Sequence, residues 1–309
     1  MNCIFMGTPL FGKYILERLV KIVNIKLVLC QPDKPSGRSQ KVEFGEVKKY
    51  SIENNLKILQ PDKIKNNTSI IHEIKNIKPD FIFVAAYGKI LNKEILDLPK
   101  FGSINVHSSL LPKYRGAAPI NWSIINGDKT TGVTIMKMDE GMDTGDIILS
   151  NEINISDYDN VETLTEKLAI TGSNLIEIFI NNFKNKGYEF ESFAQNDNES
   201  SIAPKMNKDI SKINWEKDSN TINNLIRGSY PWPGANCLDS NDQLVNIWEA
   251  VPDNKIFGEP GEIKKNNNKM YVCCGKGSLE ILKIQKSGRK VMSGVDYLNG
   301  IKIEKYKFS

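Results

Sequence analysis

Through the first half of the chain, short apolar runs alternate with longer mixed segments. The runs fall at residues 2–6, 26–30, 57–59, 81–86 and 103–106. Runs of this length, apolar without alternation, suit strands covered on both faces, as in a parallel sheet. Between them, residues 9–21, 46–54 and 68–76 have the spacing of helices. Thr8 is the expected N-cap of the first helix, with Pro9 at its first position, where a missing N–H is harmless. This alternation of strand and helix predicts a doubly wound α/β domain.

Further on, residues 132–138 and 146–150 read as two strands around a Gly-rich turn, and 162–183 has the period of a long amphipathic helix. The pattern then changes. Residues 187–203 are polar and poor in large aliphatics, which suggests a linker. Beyond it, short apolar runs at 244–248, 270–274 and 279–284 are separated by Gly, Pro and Asn, the spacing of a small β-barrel or sandwich. The expected organisation is therefore a catalytic domain over 1–189, a linker over 190–204 and a smaller β domain over 205–309.

Composition narrows the classes. A chain of 309 residues, 40% hydrophobic and 25% charged, has the makeup of a globular protein with room for two cores. No apolar run approaches the ~20 residues that cross a bilayer, and the first residues lack the features of a signal peptide, so a cytoplasmic protein is expected. The five cysteines are odd in number and contain no C-x-x-C pair, so reduced thiols are expected, with neither a disulfide framework nor a zinc site. A catalytic imidazole would have to be His72 or His107, the two histidines present. Residues 205–309 hold 17 of the 41 Lys and Arg against 12 of the 37 Asp and Glu, so that part is net basic and hints at a polyanionic partner.

The first strand-to-helix turn, Gly7 to Tyr14, narrowly misses the phosphate-binding G-x-x-x-x-G-K-[ST] pattern. Tyr14 stands where a small hydroxyl is needed, and Pro9 removes a backbone donor, so a structural turn is favoured. The dinucleotide fingerprint G-x-G-x-x-G is also absent. More informative are Asn105 and His107, two apart at the end of a predicted strand, where their side chains leave the same face. A carboxamide and an imidazole at a strand's carboxyl end can meet a developing oxyanion, and the imidazole can also move protons. Asp143, between Gly141 and Gly145, occupies a turn from which a carboxylate could orient His107. Taken singly, each of these residues also has a purely structural reading.

Together they carry a resemblance. Asn105-x-His107, Ser109-Leu110-Leu111-Pro112 and Asp143 resemble the signature of the folate-dependent formyltransferases. The agreement extends over residues 102–146, and to 31–38 (QPDKPSGR), 85–88 (AAYG), 230–234 (YPWPG) and 288–293 (GRKVMS). Within that family the likeness is to the members that act on methionyl-tRNA. Two departures stand out: Ser108 occupies a position where Gly is expected, and residues 42–47 lack an expected Pro-Ser-Pro stretch while carrying Glu43 and Glu46.

The resemblance implies a Rossmann-like N-terminal domain and an OB-like β-barrel C-terminal domain that binds tRNA. It also implies formyl transfer from 10-formyltetrahydrofolate to the α-amino group of methionyl initiator tRNA, with no metal. By the same likeness Asn105, His107 and Asp143 are the catalytic residues; Ser109, Leu110, Leu111, Pro112, Tyr87 and Gly88 bind folate; and Lys34, Arg38 and Lys41 meet tRNA. A monomer is expected. The competing reading is a sugar-nucleotide amine formyltransferase, against which stand the 31–38 loop, Ala117 and Thr144. A glycinamide ribonucleotide formyltransferase leaves 205–309 unexplained, and a catalytically silent RNA-binding protein leaves the Asn-His-Asp set unexplained.

Overall fold

The computed structural model describes residues 1–36, 41–301 and 307–309, with 34–36 and 41–42 described by their backbone. They form two compact units: 1–119, 130–154 and 165–203 in the first, and 120–129, 155–164 and 204–309 in the second.

In the first unit the chain runs β1 (Asn2–Gly7), α1 (Leu10–Ile22), β2 (Asn24–Leu29), β3 (Lys34–Ser36), β4 (Lys41–Glu43), α2 (Glu46–Glu53), β5 (Ile58–Leu59) and α3 (Thr68–Ile77). It continues through β6 (Phe81–Ala85), α4 (Lys93–Leu96), β7 (Ser103–His107), β8 (Arg115–Gly116), α5 (Pro119–Ile125), β9 (Thr130–Lys137), β10 (Ile147–Asn154), α6 (Val161–Asn185) and β11 (Ile202–Ala203). Of these, α5 beyond Pro119 belongs to the second unit, and α6 begins there before continuing in the first from Thr165. Seven strands make one sheet in the order β10-β9-β7-β6-β1-β2-β5. The five from β7 to β5 are parallel, and β9 and β10 add an antiparallel edge.

Strand order grows outward from β1 to β2 and β5, then restarts at β6 on β1's other side. That reversal opens a crevice at the carboxyl ends of β1 and β6, the usual ligand position of an open α/β sheet. The strand interiors are buried without alternation because both faces are covered. Ile4, Met6, Leu27, Leu29, Ile71 and Ile74 share one core cluster. Phe81 meets Phe179 and Phe183 of α6 edge to face at 5.8 and 4.9 Å.

In this unit the predicted strands and helices appear with end shifts of a residue or two, except that β10 runs four residues past the expected end at 150, and the start of α1 differs from expectation. Its N-cap is Pro9, without a side-chain cap. The Thr8 hydroxyl accepts instead from Gln31 N at 3.1 Å, tying the ends of β1 and β2 together. A tertiary donor outcompetes the local helix N–H groups for that oxygen. Residues 187–203, whose composition suggests a linker, are bonded into the first unit: Phe193 pairs with Ile147 and β11 pairs with β8.

In the second unit, α7 (Ser219–Gly228) is capped by Asp218, whose Oδ1 accepts from the N–H groups of Asn220 and Thr221. Strands β12 (Asn236–Leu238), β13 (Leu244–Asp253), β14 (Ile263–Asn266), β15 (Lys269–Cys273), β16 (Ser278–Lys286) and β17 (Met292–Ser293) follow, then α8 (Gly294–Asn299). They form an antiparallel sheet ordered β12-β13-β16-β15-β14, with β17 on β16. The chain's last residues connect the two sheet edges: Leu238 and Ser309 exchange backbone bonds of 2.9 and 3.0 Å, and Phe308 N donates to Gly261 O at 2.9 Å. This closure gives the sheet a barrel-like character.

Candidate active site

Asn105 and His107 stand at the carboxyl end of β7, held between β6 and β9. They are only 8% and 6% exposed, on a strand buried along its whole length. Asp143 reaches them from the loop between β9 and β10. Asn105 Nδ2 donates to Asp143 Oδ1 at 3.2 Å, and His107 Nδ1 lies 3.6 Å from the same oxygen. The other carboxylate oxygen accepts from Gly116 N at 2.8 Å. One carboxylate thus gathers the amide, the imidazole and a backbone donor.

His107 Nε2 is 3.0 Å from Tyr114 O. A carbonyl can only accept, so Nε2 carries the proton, and Nδ1 is the ring nitrogen left to face the carboxylate. A second proton, on Nδ1, would turn that approach into an ion pair. Asn105 Nδ2 has a further hydrogen available to a reacting oxygen.

The loop's shape depends on glycine at two places. A Cβ on Gly145 would stand 1.8 Å from Lys137 O, and Gly116, at φ +121°, would put one 2.8 Å from Ala203 O. Asp143 itself sits at φ +55°, a left-handed conformation that Asp tolerates better than most residues. Two further residues hold it there. Gln195 Nε2 donates to Asp143 O at 2.9 Å and Gly145 O at 2.7 Å. Its Oε1 accepts from Arg115 Nε and Nη2 at 3.0 and 2.8 Å, and Arg115 Nη2 also reaches Asp197 Oδ1 at 2.8 Å.

Beside this cluster is a cavity of about 590 Å3 lined by Thr8, Gln31, residues 86–91, Asn105, His107 and Asp143, among others. It lies at the crevice between the ends of β1 and β6. Tyr87 and Gly88 line it. Ser109, Leu110, Leu111 and Pro112 are not among its lining residues. Their bonds are internal: Ser109 Oγ donates to Lys113 O at 2.6 Å, and Thr134 Oγ1 accepts from Leu111 N and donates to Ser109 O. This segment shapes the turn after β7, whose Tyr114 carbonyl meets His107. Lys34 and Lys41 lie on β3 and β4, but their side chains, and Arg38 altogether, lie outside the described residues. Among the described residues no cluster of His, Cys, Asp or Glu could hold a metal ion, and no helix is long and apolar enough to cross a membrane.

A profile described as formyl transferase matches residues 1–178, and one for the formyl transferase C-terminal domain matches 205–302. The chain belongs to the formyl transferase family. This formyl transferase is 44% identical over 303 residues to a methionyl-tRNA formyltransferase of Caldanaerobacter subterraneus, covering 97% of each chain. It is 44% identical to one from Clostridium acetobutylicum, over 99% of this chain and 98% of that one. Among solved structures, the formyl transferase resembles an N-formyltransferase from Helicobacter canadensis with folinic acid and dTDP-3-aminofucose. That match has a TM-score of 0.66 and 24% identity, and covers 92% of this chain and 98% of that chain. HypX of Aquifex aeolicus with tetrahydrofolic acid gives 0.63 and 17%, over 96% of this chain and 47% of that chain. Likeness at this identity speaks for the fold.

Gln195 and Arg115 escaped the sequence reading of this formyl transferase. Gln195 lies in the polar stretch read as a linker, 52 residues from Asp143. No local pattern marks a side chain whose partners are backbone carbonyls that distant.

Proposed function

We propose that the protein transfers the formyl group of 10-formyltetrahydrofolate to the α-amino group of methionyl initiator tRNA, in the cytoplasm and as a monomer. The observation that carries the chemistry is the convergence of Asn105, His107 and Asp143 beside the cavity at the strands' carboxyl ends. The near full-length identity to methionyl-tRNA formyltransferases supports the choice of acceptor. In this reading residues 1–189 are catalytic, the expected connection 190–204 also braces them through Phe193, Gln195 and β11, and 205–309 bind tRNA.

An α-amino group has a reference pKa near ~8, so a useful fraction is neutral at physiological pH and no covalent enzyme intermediate is required. The protein's task is positioning and charge stabilisation. The amine nitrogen attacks the formyl carbon and forms a C–N bond. Asn105 Nδ2, through the hydrogen it does not give to Asp143, donates to the carbonyl oxygen as it becomes an oxyanion, and a proton on His107 Nδ1, the ring nitrogen that Tyr114 O leaves open, would be shared between that oxygen and Asp143. Collapse breaks the bond between the formyl carbon and N10 of the folate, and the proton lost by the amine passes through water near Asp143 to N10. The products are the formylated amine and tetrahydrofolate. Asp143 holds both donors at the oxyanion position. The folate donor lies against the turn with Tyr87 and Gly88, the segment Ser109 to Pro112 acts by shaping the turn after β7, and Lys34, Arg38 and Lys41 meet the acceptor end of the tRNA.

The test is a single-turnover mixture with labelled 10-formyltetrahydrofolate and either charged initiator tRNA or a UDP-aminosugar. Label is expected on the methionyl group of the tRNA. Label on the sugar alone would overturn the assignment.

A further inference from the structure

The second unit holds a cavity of its own, about 900 Å3 in volume, within the ~300–1,000 Å3 range of ligand pockets. Its lining residues all lie in 127–129, 157–160 and 220–291, and none of them lines the cavity at His107. Helix α7 contributes Asn223 and Arg227, four residues apart and so on one helical face. Asn223 is only 7% exposed, yet its Oδ1 has no hydrogen-bond partner among the described residues. Arg227 gives its terminal nitrogens to neutral oxygens: Ser156 O at 3.2 Å, Asp159 O at 2.7 Å and Asn224 Oδ1 at 2.6 Å. Among the described residues its Nε has no partner either. The wall is therefore polar and positively charged.

Aromatic surface comes from Tyr230 and Trp248, whose rings meet edge to face with centroids 6.0 Å apart. Trp248 Nε1 donates to Gln285 Oε1 at 3.0 Å, which fixes the indole. Two lysines are on the lining: Lys129 pairs with Asp157 at 3.0 Å and Lys283 with Glu249 at 2.6 Å. Both pairs are exposed, and exposed pairs are weak enough for a phosphate to displace. Three cations stand against two carboxylates on the lining, a balance suited to a monoanion.

We propose that this cavity seats a single nucleotide unit, with its planar base against Tyr230 and Trp248, its edge hydrogen-bonded by the side-chain amides of α7, and its phosphate met by Lys129 or Lys283. The unit is an unstacked residue of the RNA substrate or a free mononucleotide. The first source rests on the functional reading above, and the net-basic character of residues 205–309 favours it.

Formylation of charged initiator tRNA by the unaltered full chain is measured first. Its absence would sink the functional reading, whereas the cavity variants bear on the nucleotide site. The variants are Trp248→Leu and, at exposed positions where folding is not at stake, Lys283→Gln and Tyr158→Ala, Tyr158 being a further aromatic residue on the cavity lining. If the RNA supplies the unit, KM for charged tRNA rises about tenfold in Trp248→Leu and less in the other two. KM for the formyl donor is unmoved, and tRNA carrying 4-thiouridine crosslinks to a peptide containing Trp248 or Tyr230. If a free nucleotide is the ligand, titration calorimetry detects AMP, GMP, CMP or UMP binding that Lys283→Gln weakens, and tRNA kinetics stay as in the parent. Parent tRNA kinetics in all three folded variants, together with no heat from any mononucleotide, would overturn the site.

Discussion

Gln195 holds the backbone of Asp143. Its side-chain N–H groups donate to the carbonyls of Asp143 and Gly145, and its oxygen receives two bonds from Arg115. Arg115 precedes Gly116, whose N–H binds the Asp143 carboxylate, so one glutamine links both sides of the Asp143 carboxylate's setting. Gln195→Met should remove all four bonds, lowering kcat roughly tenfold to a hundredfold through misplacement of Asp143. It should also lower Tm, because Arg115, 6% exposed, loses two of its acceptor bonds. Gln195→Glu keeps the acceptor for Arg115 but loses the donors to the loop. It should therefore lower kcat while lowering Tm less than Met does. Parent kcat in both variants would show that the loop keeps its shape unaided.

His107→Ala should reduce turnover by roughly 10²–10⁴-fold, the span of a positioned acid or base. Binding of both substrates should survive, as measured by equilibrium titration. The matched control is His72→Gln. His72 is exposed on α3 and touches the Asn76 amide at 3.1 Å, so its replacement should leave turnover within about twofold of the parent, a typical surface effect. Parent turnover in a folded His107→Ala protein would make that imidazole structural.

Asp143→Asn tests the carboxylate at nearly constant volume. Two N–H donors, from Asn105 and Gly116, now meet separate oxygens. An asparagine offers one oxygen and one NH2, so a donor must face a donor on one side. Turnover should fall by about 10²-fold as Asn105 or Gly116 is displaced. A crystal structure of the variant with both contacts intact and full activity would count against the carboxylate's role.

The pairing of Asn105 with His107 was legible in the sequence because strand alternation is a local rule and both side chains follow it. The element order was legible for the same reason. Thr8 misled because its hydroxyl serves Gln31, a partner that no window around the helix contains. The turn from Ser109 to Pro112 is part of the family likeness, yet the structure spends its polar atoms on Thr134 and Lys113. A motif identifies which residues matter without saying whether they touch a ligand or shape what does. Gln195 was invisible because composition reads a polar segment as unattached, whereas its side chain is attached through backbone carbonyls.

Arg38 stands between β3 and β4 in the sequence, in a stretch that also holds Lys34 and Lys41. A sequence rich in Gly, Pro and Ser with several cations is suited to meeting an RNA end. Arg38→Ala should raise KM for charged tRNA, leave the KM of the formyl donor unchanged, and flatten the log–log salt dependence by about one unit at most. Parent kinetics with tRNA across a salt series would remove Arg38 from the interface.

The cysteines supply a pH-dependent prediction. All five are free and buried. Burial pushes the thiol of Cys3 from an ordinary value of 9.0 up to about 12, and that of Cys30 to about 11, with Asp33 adding to the rise at Cys30. Cys274 is likewise pushed up to about 12 by burial and by Cys273. In the folded state these groups remain thiols at pH values where the unfolded chain already carries thiolates. Their folded values lie above their unfolded ones, so the stabilising contribution is complete below about pH 9 and disappears as pH rises through 11 to 12. Urea midpoints should therefore fall between pH 9 and pH 10.5, and fall less steeply in a Cys3→Ala, Cys30→Ala double variant. At pH 8.5 the native protein should resist iodoacetamide, with labelling appearing only in urea. Rapid alkylation of Cys3 or Cys30 in the native protein would show that these thiols are reached without unfolding, contrary to the packing around β1 and β2.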